Sequence, residues 1–293
     1  MAQPLGLPVL AGLRNDLIFS AKMHAPSTDK PAVSTSTSQL LEQGHYARKQ
    51  LFSKNAIVKW SHRRRFALAR ELAAAAAGGA LLDYGCGDGT FIALAHDLFR
   101  EATGTDVDVE QLRDCGRRLS VAPHVRFASI AELRESGYTG YYDAVVCMEV
   151  LEHCPSDVQP VVLADLARLV RPHGIVVISV PIEIGPTLAV KQVVRAAAAA
   201  TGLAEYESRE RYRISEFMRM LLARDTSQIE RRATITINAA GDTMKYHGHK
   251  GFNWRVLARV IERTFVIERR LYSPVPITGP WLNSQVWFVC RKR

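Results

Sequence analysis

The sequence predicts an α/β fold: a doubly wound, seven-stranded, mostly parallel sheet with an antiparallel last strand and an insertion after the fifth strand. Three observations predict it. The run LLDYGCGDGT, Leu81–Thr90, leads two apolar residues into Asp83 and then repeats glycine at Gly85, Gly87 and Gly89 before a helix-like stretch. A strand ending in such a turn lets the backbone approach a ligand closely, and the next helix aims its first N–H groups at the same crevice. From Leu81 to Val180 short apolar runs alternate with helical-period segments, as in a chain of βαβ units. TGTDVD, Thr103–Asp108, then ends a second apolar run in Asp106, 17 residues after Gly89, the length of one helix and one strand.

The elements follow in order. Residues 1–40 are rich in Pro, Ser and Thr without periodicity, and are expected to be disordered. Residues 41–77 are expected to form a helical N-terminal cover, the segment Tyr46–Ala77 reading as helical. It carries His62, Arg63, Arg64 and Arg65, either an exposed basic turn or a contact to substrate. Residues 78–293 form the main domain. Its strands are expected at Leu81–Tyr84, Ala102–Asp106, Val125–Ala128, Tyr142–Met148, Ile175–Val180, Phe265–Leu271 and Gln285–Cys290. Helices are expected at Thr90–Phe99, Asp108–Leu119, Val158–Val170 and Trp254–Thr264, with a turn at 171–174 and an irregular, partly helical insertion at about 183–250.

Composition bounds the class. An apolar fraction of 47% and a charged fraction of 23% are ordinary for a globular enzyme, and no apolar run approaches the length of a membrane span. The first residues lack a basic stretch followed by an apolar core, so no secretory signal is expected. Five scattered cysteines without metal-finger spacing point to reduced thiols and a cytoplasmic protein. The net charge of +9 is uneven. Residues 1–80 hold 11 Lys/Arg against 4 Asp/Glu, residues 81–194 hold 9 against 16, and residues 195–293 hold 18 against 9. Basic flanks around an acidic centre suggest an anionic acceptor or surface, peripheral membrane contact included; solvated basic faces are the alternative.

The glycine spacing selects the ligand. A dinucleotide fingerprint needs its third glycine at position 90, which is Thr90, so a nicotinamide cofactor is disfavoured. Asp83 and Asp88 would repel a pyrophosphate and attract an amino group. The pattern resembles the first motif of the class I S-adenosylmethionine-dependent methyltransferases, a Rossmann-like family. YDAVVCMEVLEHCP, Tyr142–Pro155, resembles the family's fourth-strand motif, and LARLVRPHGIVVISVP its fifth-strand stretch, so the resemblance covers roughly residues 78–182. It implies S-adenosyl-L-methionine as cofactor, with S-adenosyl-L-homocysteine as product. It assigns the cofactor to Asp83, Gly85, Cys86, Gly87, Gly89, Asp106, Val107, Ser129, Ile130 and Met148. Asp106 would accept from the ribose hydroxyls, and Asp108 is better placed to cap a helix. In many members an acidic residue stands where this chain has Ser129, which leaves the adenine contact weaker or made by backbone.

Glu149, Glu152 and His153 form E-x-x-E-H beyond the fourth strand. Glu149 and His153 either line the pocket, or two carboxylates and an imidazole hold a divalent metal with His247 or His249 as a further ligand. The triplet resembles that of ubiquinone-pathway O-methyltransferases and of small-RNA 2′-O-methyltransferases. His153, Glu149 and His249 are the catalytic candidates, a neutral imidazole serving to take a proton from an acceptor hydroxyl. Tyr206, Arg209, Arg211, Tyr212 and Arg213 interleave aromatic and basic residues, suited to stacking or to an exposed helix. The expected activity is O-methylation of a small-molecule, glycan or lipid-linked acceptor. Metal-assisted methylation of RNA and a non-catalytic binding module are the alternatives, and no recognisable RNA-binding module accompanies the motifs.

Overall fold

The structure, a computed structural model, describes residues 44–53, 55–119, 122–135, 137–200, 212–237 and 243–293. These belong to one unit, Val33–Arg293. The disorder expected for residues 1–40, and Tyr206, Arg209 and Arg211, lie outside the described residues.

β1 (Ala80–Tyr84) is buried along its whole length, as a central strand covered on both faces must be. It pairs in parallel with β2 (Glu101–Thr105) and β4 (Tyr142–Met148). β3 (Val125–Phe127) extends the sheet beyond β2, and β5 (Val170–Pro181) extends it beyond β4. β9 (Gln285–Lys292) runs antiparallel between β5 and β8 (Phe265–Ser273). The order is β3-β2-β1-β4-β5-β9-β8, the expected seven-stranded sheet with its last strand reversed. Consecutive residues point to opposite faces. Leu82, Val145 and Cys147 therefore pack in one core with Leu163 and Ile261, while Leu81, Val146 and Val177 pack in the other with Phe66, Ile92 and Trp287.

Helices fill the crossovers. α3 (Thr90–Ala95) follows the glycine turn and is shorter than expected, closing in a 3-10 turn at His96–Leu98. α4 (Val109–Arg118) is capped by Asp108, whose carboxylate accepts from the Glu110 and Gln111 amides. α5 (Ile130–Glu135), α6 (Gln159–Leu169) and α9 (Trp254–Thr264) complete the flanks. Close packing of β2 on β3 depends on Gly104. A Cβ there would stand 2.6 Å from the Phe127 ring and 3.0 Å from Cys86 Sγ. Gly104→Ala should cost about 1–3 kcal/mol through overpacking, read as a lower urea midpoint at unchanged slope.

One expectation is detailed and two are corrected. The N-terminal cover is two helices, α1 (His45–Gln50) and α2 (Ala56–Ala73). They are separate because Asn55 leaves the helix to cap the second, its Oδ1 accepting from Ile57 N at 3.0 Å and Val58 N at 3.2 Å. The turn expected at 171–174 lies inside β5, which pairs with β4 from Val170 and resumes at Ile175 after a register shift. His173 takes a φ of 62° there. The insertion is more regular than expected. It holds α7 (Pro186–Ala200), α8 (Ile214–Leu221) and a separate antiparallel hairpin, β6 (Ala233–Ile237) with β7 (Thr243–His247).

Candidate functional site

The site lies beyond the carboxyl ends of β1, β2 and β4, where a doubly wound sheet offers its crevice. After Tyr84 the chain turns through Gly85 at φ 82°, and a Cβ there would stand 2.3 Å from Val150 Cγ2. Only glycine fits that backbone against that neighbour. The Gly85 and Cys86 amides both donate to Thr105 O, which ties the turn to β2. Gly87 N donates to Asp106 Oδ2 at 2.9 Å, and Asp108 N to Asp106 Oδ1 at 3.1 Å. Asp106 thus braces the turn and still lines the cavity. Asp88 is occupied structurally: its Oδ2 accepts from the Tyr46 and Ala47 amides at 2.9 Å each, pinning α1 over the turn.

The resulting cavity has a volume of about 650 Å³. Asp83, Gly85, Cys86, Gly87, Asp106, Val107, Ile130, Met148, Glu149 and His153 all line it. Gly89 does not: it starts α3 at φ 73° and faces Leu119, Cys115 and Phe127. Ser129 is also outside the lining. It shares a reciprocal cap with Glu132, donating from its amide at 2.7 Å and accepting at its hydroxyl at 3.2 Å. Ile130 and Ala131 supply that wall instead.

The cavity lining includes two buried residues with an unsatisfied polar atom. Asp83 is fully buried, its Oδ1 has no hydrogen-bond partner, and burial with the neighbouring Asp106 and Asp88 pushes its carboxyl up to about 8. Arg65 from α2 also lines the cavity at 3% exposure, donates to Gln50 and leaves its Nε unpaired. Its guanidinium stands 3.7 Å from Glu149 Oε2. Sequence reasoning left the whole cluster His62–Arg65 as either an exposed basic turn or a contact to substrate. Four consecutive polar residues give no periodicity from which to read the buried one.

Glu149 ends β4 in a left-handed turn at φ 55°, a conformation costing about 1 kcal/mol that local bonds hold in place. Its amide donates to Ser179 O, and Ser179 Oγ donates to Glu149 Oε1 at 3.2 Å. That turn separates the two glutamates of E-x-x-E-H. Glu149 faces Arg65 and Ser179, while Glu152 is fully buried with neither carboxylate oxygen hydrogen-bonded. His153 Nδ1 donates to His247 O at 2.8 Å, and His247 N returns a bond to His153 O. Burial lowers the affinity of His153 for a second proton. The ring is therefore neutral, with its lone pair on Nε2, 3.7 Å from Glu152 Oε1.

The hairpin that carries His247 also brings His249 in. Ligand atoms of Glu152, His153 and His249 lie within 4.8 Å of one another, a group able to hold a metal ion; Glu149 is outside it. His247 itself is used structurally, its Nδ1 against Arg231 O at 3.1 Å. The Arg231 side chain donates to Glu152 O and Gly248 O, fastening the hairpin to the turn. Lys245 and Tyr246 of β7 close the cavity wall. Sequence reasoning did not foresee this hairpin, because its strands are short and mostly exposed.

Comparison with known proteins decides the family. A family model described as "Methyltransferase domain" matches residues 55–224. The chain belongs to the methyltransferase domain family. This methyltransferase-domain chain is 40% identical over 103 residues to the ubiquinone biosynthesis O-methyltransferase of Pectobacterium atrosepticum, covering 33% of this chain and 40% of that protein. It is 36% identical over 108 residues to the protein of the same name from Bordetella avium, covering 36% and 44%. The chain thus matches well under half the length of these curated relatives. Among solved structures, Pyrococcus horikoshii PH0226 protein aligns over 83% of this chain and 95% of its own, with TM-score 0.53 and 13% identity. The N-methyltransferase NodS of Bradyrhizobium japonicum, solved with S-adenosyl-l-homocysteine, aligns over 88% and 98%, with TM-score 0.50 and 13% identity. These two support the methyltransferase fold of the sheet.

Proposed function

We propose that the chain is an S-adenosylmethionine-dependent methyltransferase acting on an oxygen of a small, anionic acceptor. The observation that carries the reading is the pair of unsatisfied buried polar atoms lining one cavity, Asp83 Oδ1 and Arg65 Nε. A zwitterionic amino-acid end satisfies both at once, its ammonium at Asp83 and its carboxylate at Arg65. The residues present therefore fit that cofactor, which when bound supplies a methyl group already activated on a sulfonium.

The chain's own work is alignment and exclusion of water. Gly85 and Gly87 let the backbone lie against the ligand, and Asp106 is placed for the ribose hydroxyls. Ile130 and Ala131 form an apolar wall, and Met148 and Glu149 line the stretch from which Glu152 and His153 follow. Lys245 on the cavity lining suits an acceptor bearing negative charge. The shared O-methyltransferase relatives support oxygen as the accepting atom, and a glycan or lipid-linked hydroxyl fits the same description. His153 holds its lone pair ready either to take the acceptor's proton or to ligate a cation.

The buried, unpartnered Glu152 carboxylate favours the second use. Burial, with Glu149 nearby, raises the Glu152 carboxyl well above the usual carboxylate range, and a divalent cation shared with His153 and His249 would take the place of its proton. Such a cation supplies Lewis acidity toward an acceptor hydroxyl. No described helix is long and apolar enough to cross a membrane, and five free cysteines support a reducing compartment, the cytoplasm.

Isothermal calorimetry with S-adenosylhomocysteine should show one site per chain. Absence of heat with both this ligand and S-adenosylmethionine overturns the reading. A panel of anionic hydroxyl compounds, scored by released S-adenosylhomocysteine, then identifies the acceptor class.

A further inference from the structure

We infer that Glu183 is a positioning residue for His249, holding its ring so that Glu152, His153 and His249 face a divalent cation together. The inference rests on the cation reading above. Glu183 lies two residues beyond β5 and is fully buried. Its Oε1 is 2.8 Å from Lys191 Nζ of α7 and 3.4 Å from His249 Nδ1. Lys191 balances the carboxylate, which makes its burial tolerable. The histidine contact is what Lys191 does not explain.

An imidazole with Nδ1 against a carboxylate keeps its proton on that nitrogen and its lone pair on Nε2. His153 has the same arrangement, with Nδ1 held by His247 O. The two rings lie side by side, centroids 5.1 Å apart, His153 with Nδ1 hydrogen-bonded to His247 O and His249 with Nδ1 3.4 Å from the Glu183 carboxylate. Both are thereby left with Nε2 for a shared ligand. Glu183 differs from the His247 carbonyl in carrying charge, so it also makes the His249 ring a stronger donor. Lys191 and Glu183 come from the insertion and its approach, and His249 from the segment after the hairpin. The insertion that shapes the acceptor side thus sets one ligand of the cation.

Titration with Co²⁺, followed by its visible absorption, tests this in the full chain. Glu183→Gln should weaken Co²⁺ binding by about 10–100-fold. In a His249→Ala background the same change should have almost no further effect, because Glu183 acts through His249. Glu183→Gln leaves the half-buried Lys191 without this partner. The double variant Glu183→Gln/Lys191→Met removes both charges, and should show the same weakening with a native circular dichroism spectrum. Equal binding by wild type and this double variant overturns the role of Glu183 alone. So does an equal loss in the presence and absence of His249. Wild-type protein that leaves Co²⁺ unbound overturns the cation reading, and this inference with it.

Discussion

Asp83→Asn should stabilise the ligand-free protein at pH 8–9 while costing at least about 100-fold in affinity for S-adenosylhomocysteine, the equivalent of ~2.7 kcal/mol. The stability half follows from linkage. The folded-state carboxyl titrates at about 8, the unfolded one near 3.8. Between those values the folded protein holds a proton that the unfolded chain has released, so stability falls as pH rises through the window. Above about 8 the loss is complete. Asn carries no titrating proton and removes the slope, so the gain in Tm should be negligible near pH 4 and greatest at pH 9. The affinity half follows from charge: the amide cannot pair with an ammonium as a carboxylate does. Thermal unfolding at four pH values and calorimetry at one check both halves. A variant no more stable than wild type at pH 9, or one that binds equally well, contradicts the assignment.

Glu152→Gln should have the second large effect. Both carboxyl oxygens of Glu152 are buried without a hydrogen-bond partner, and burial raises its carboxyl well above the usual range. The cation-free fold must therefore hold a proton there that the unfolded chain releases at neutral pH, and the isosteric amide removes that cost. In the presence of EDTA the variant should unfold at a higher temperature than wild type. With Co²⁺ or Mg²⁺ added, wild type should gain stability and the variant should not. Methyl transfer should fall at least about 100-fold, since a cation contributes several kcal/mol of charge stabilisation to such a step. Wild-type turnover in the variant would place the cation elsewhere or remove it from the reaction.

Both predictions concern carboxylates that the fold buries at its own expense. Their positions were legible in the sequence, because each sits in a motif whose neighbours constrain it. Asp83 precedes a glycine turn, and Glu152 lies in E-x-x-E-H. Their states were not legible. Burial of Asp83 depends on two strands on either side of it, and the orphaned oxygens of Glu152 depend on how the hairpin closes over the turn. The same limit applied to Ser129 and Gly89, which the motif assigns to the cofactor. In the folded chain one caps α5 and the other faces Cys115 and Leu119, away from the cavity.

The sequence by itself determined the order along the chain of the seven strands of the main sheet, the glycine turn, Asp106 at the end of β2 and the helix cap at Asp108. These depend on local periodicity and on residues a few positions apart. Only the tertiary structure decided that Arg65 faces the cavity and Arg63 and Arg64 do not, and that Glu149 and Glu152 part company. It chose His249 over His247 as the companion of His153, left Glu149 out of their group, and set Glu183 behind His249. Those pairings are set by which faces of distant elements meet, and no short-range pattern in a chain records that.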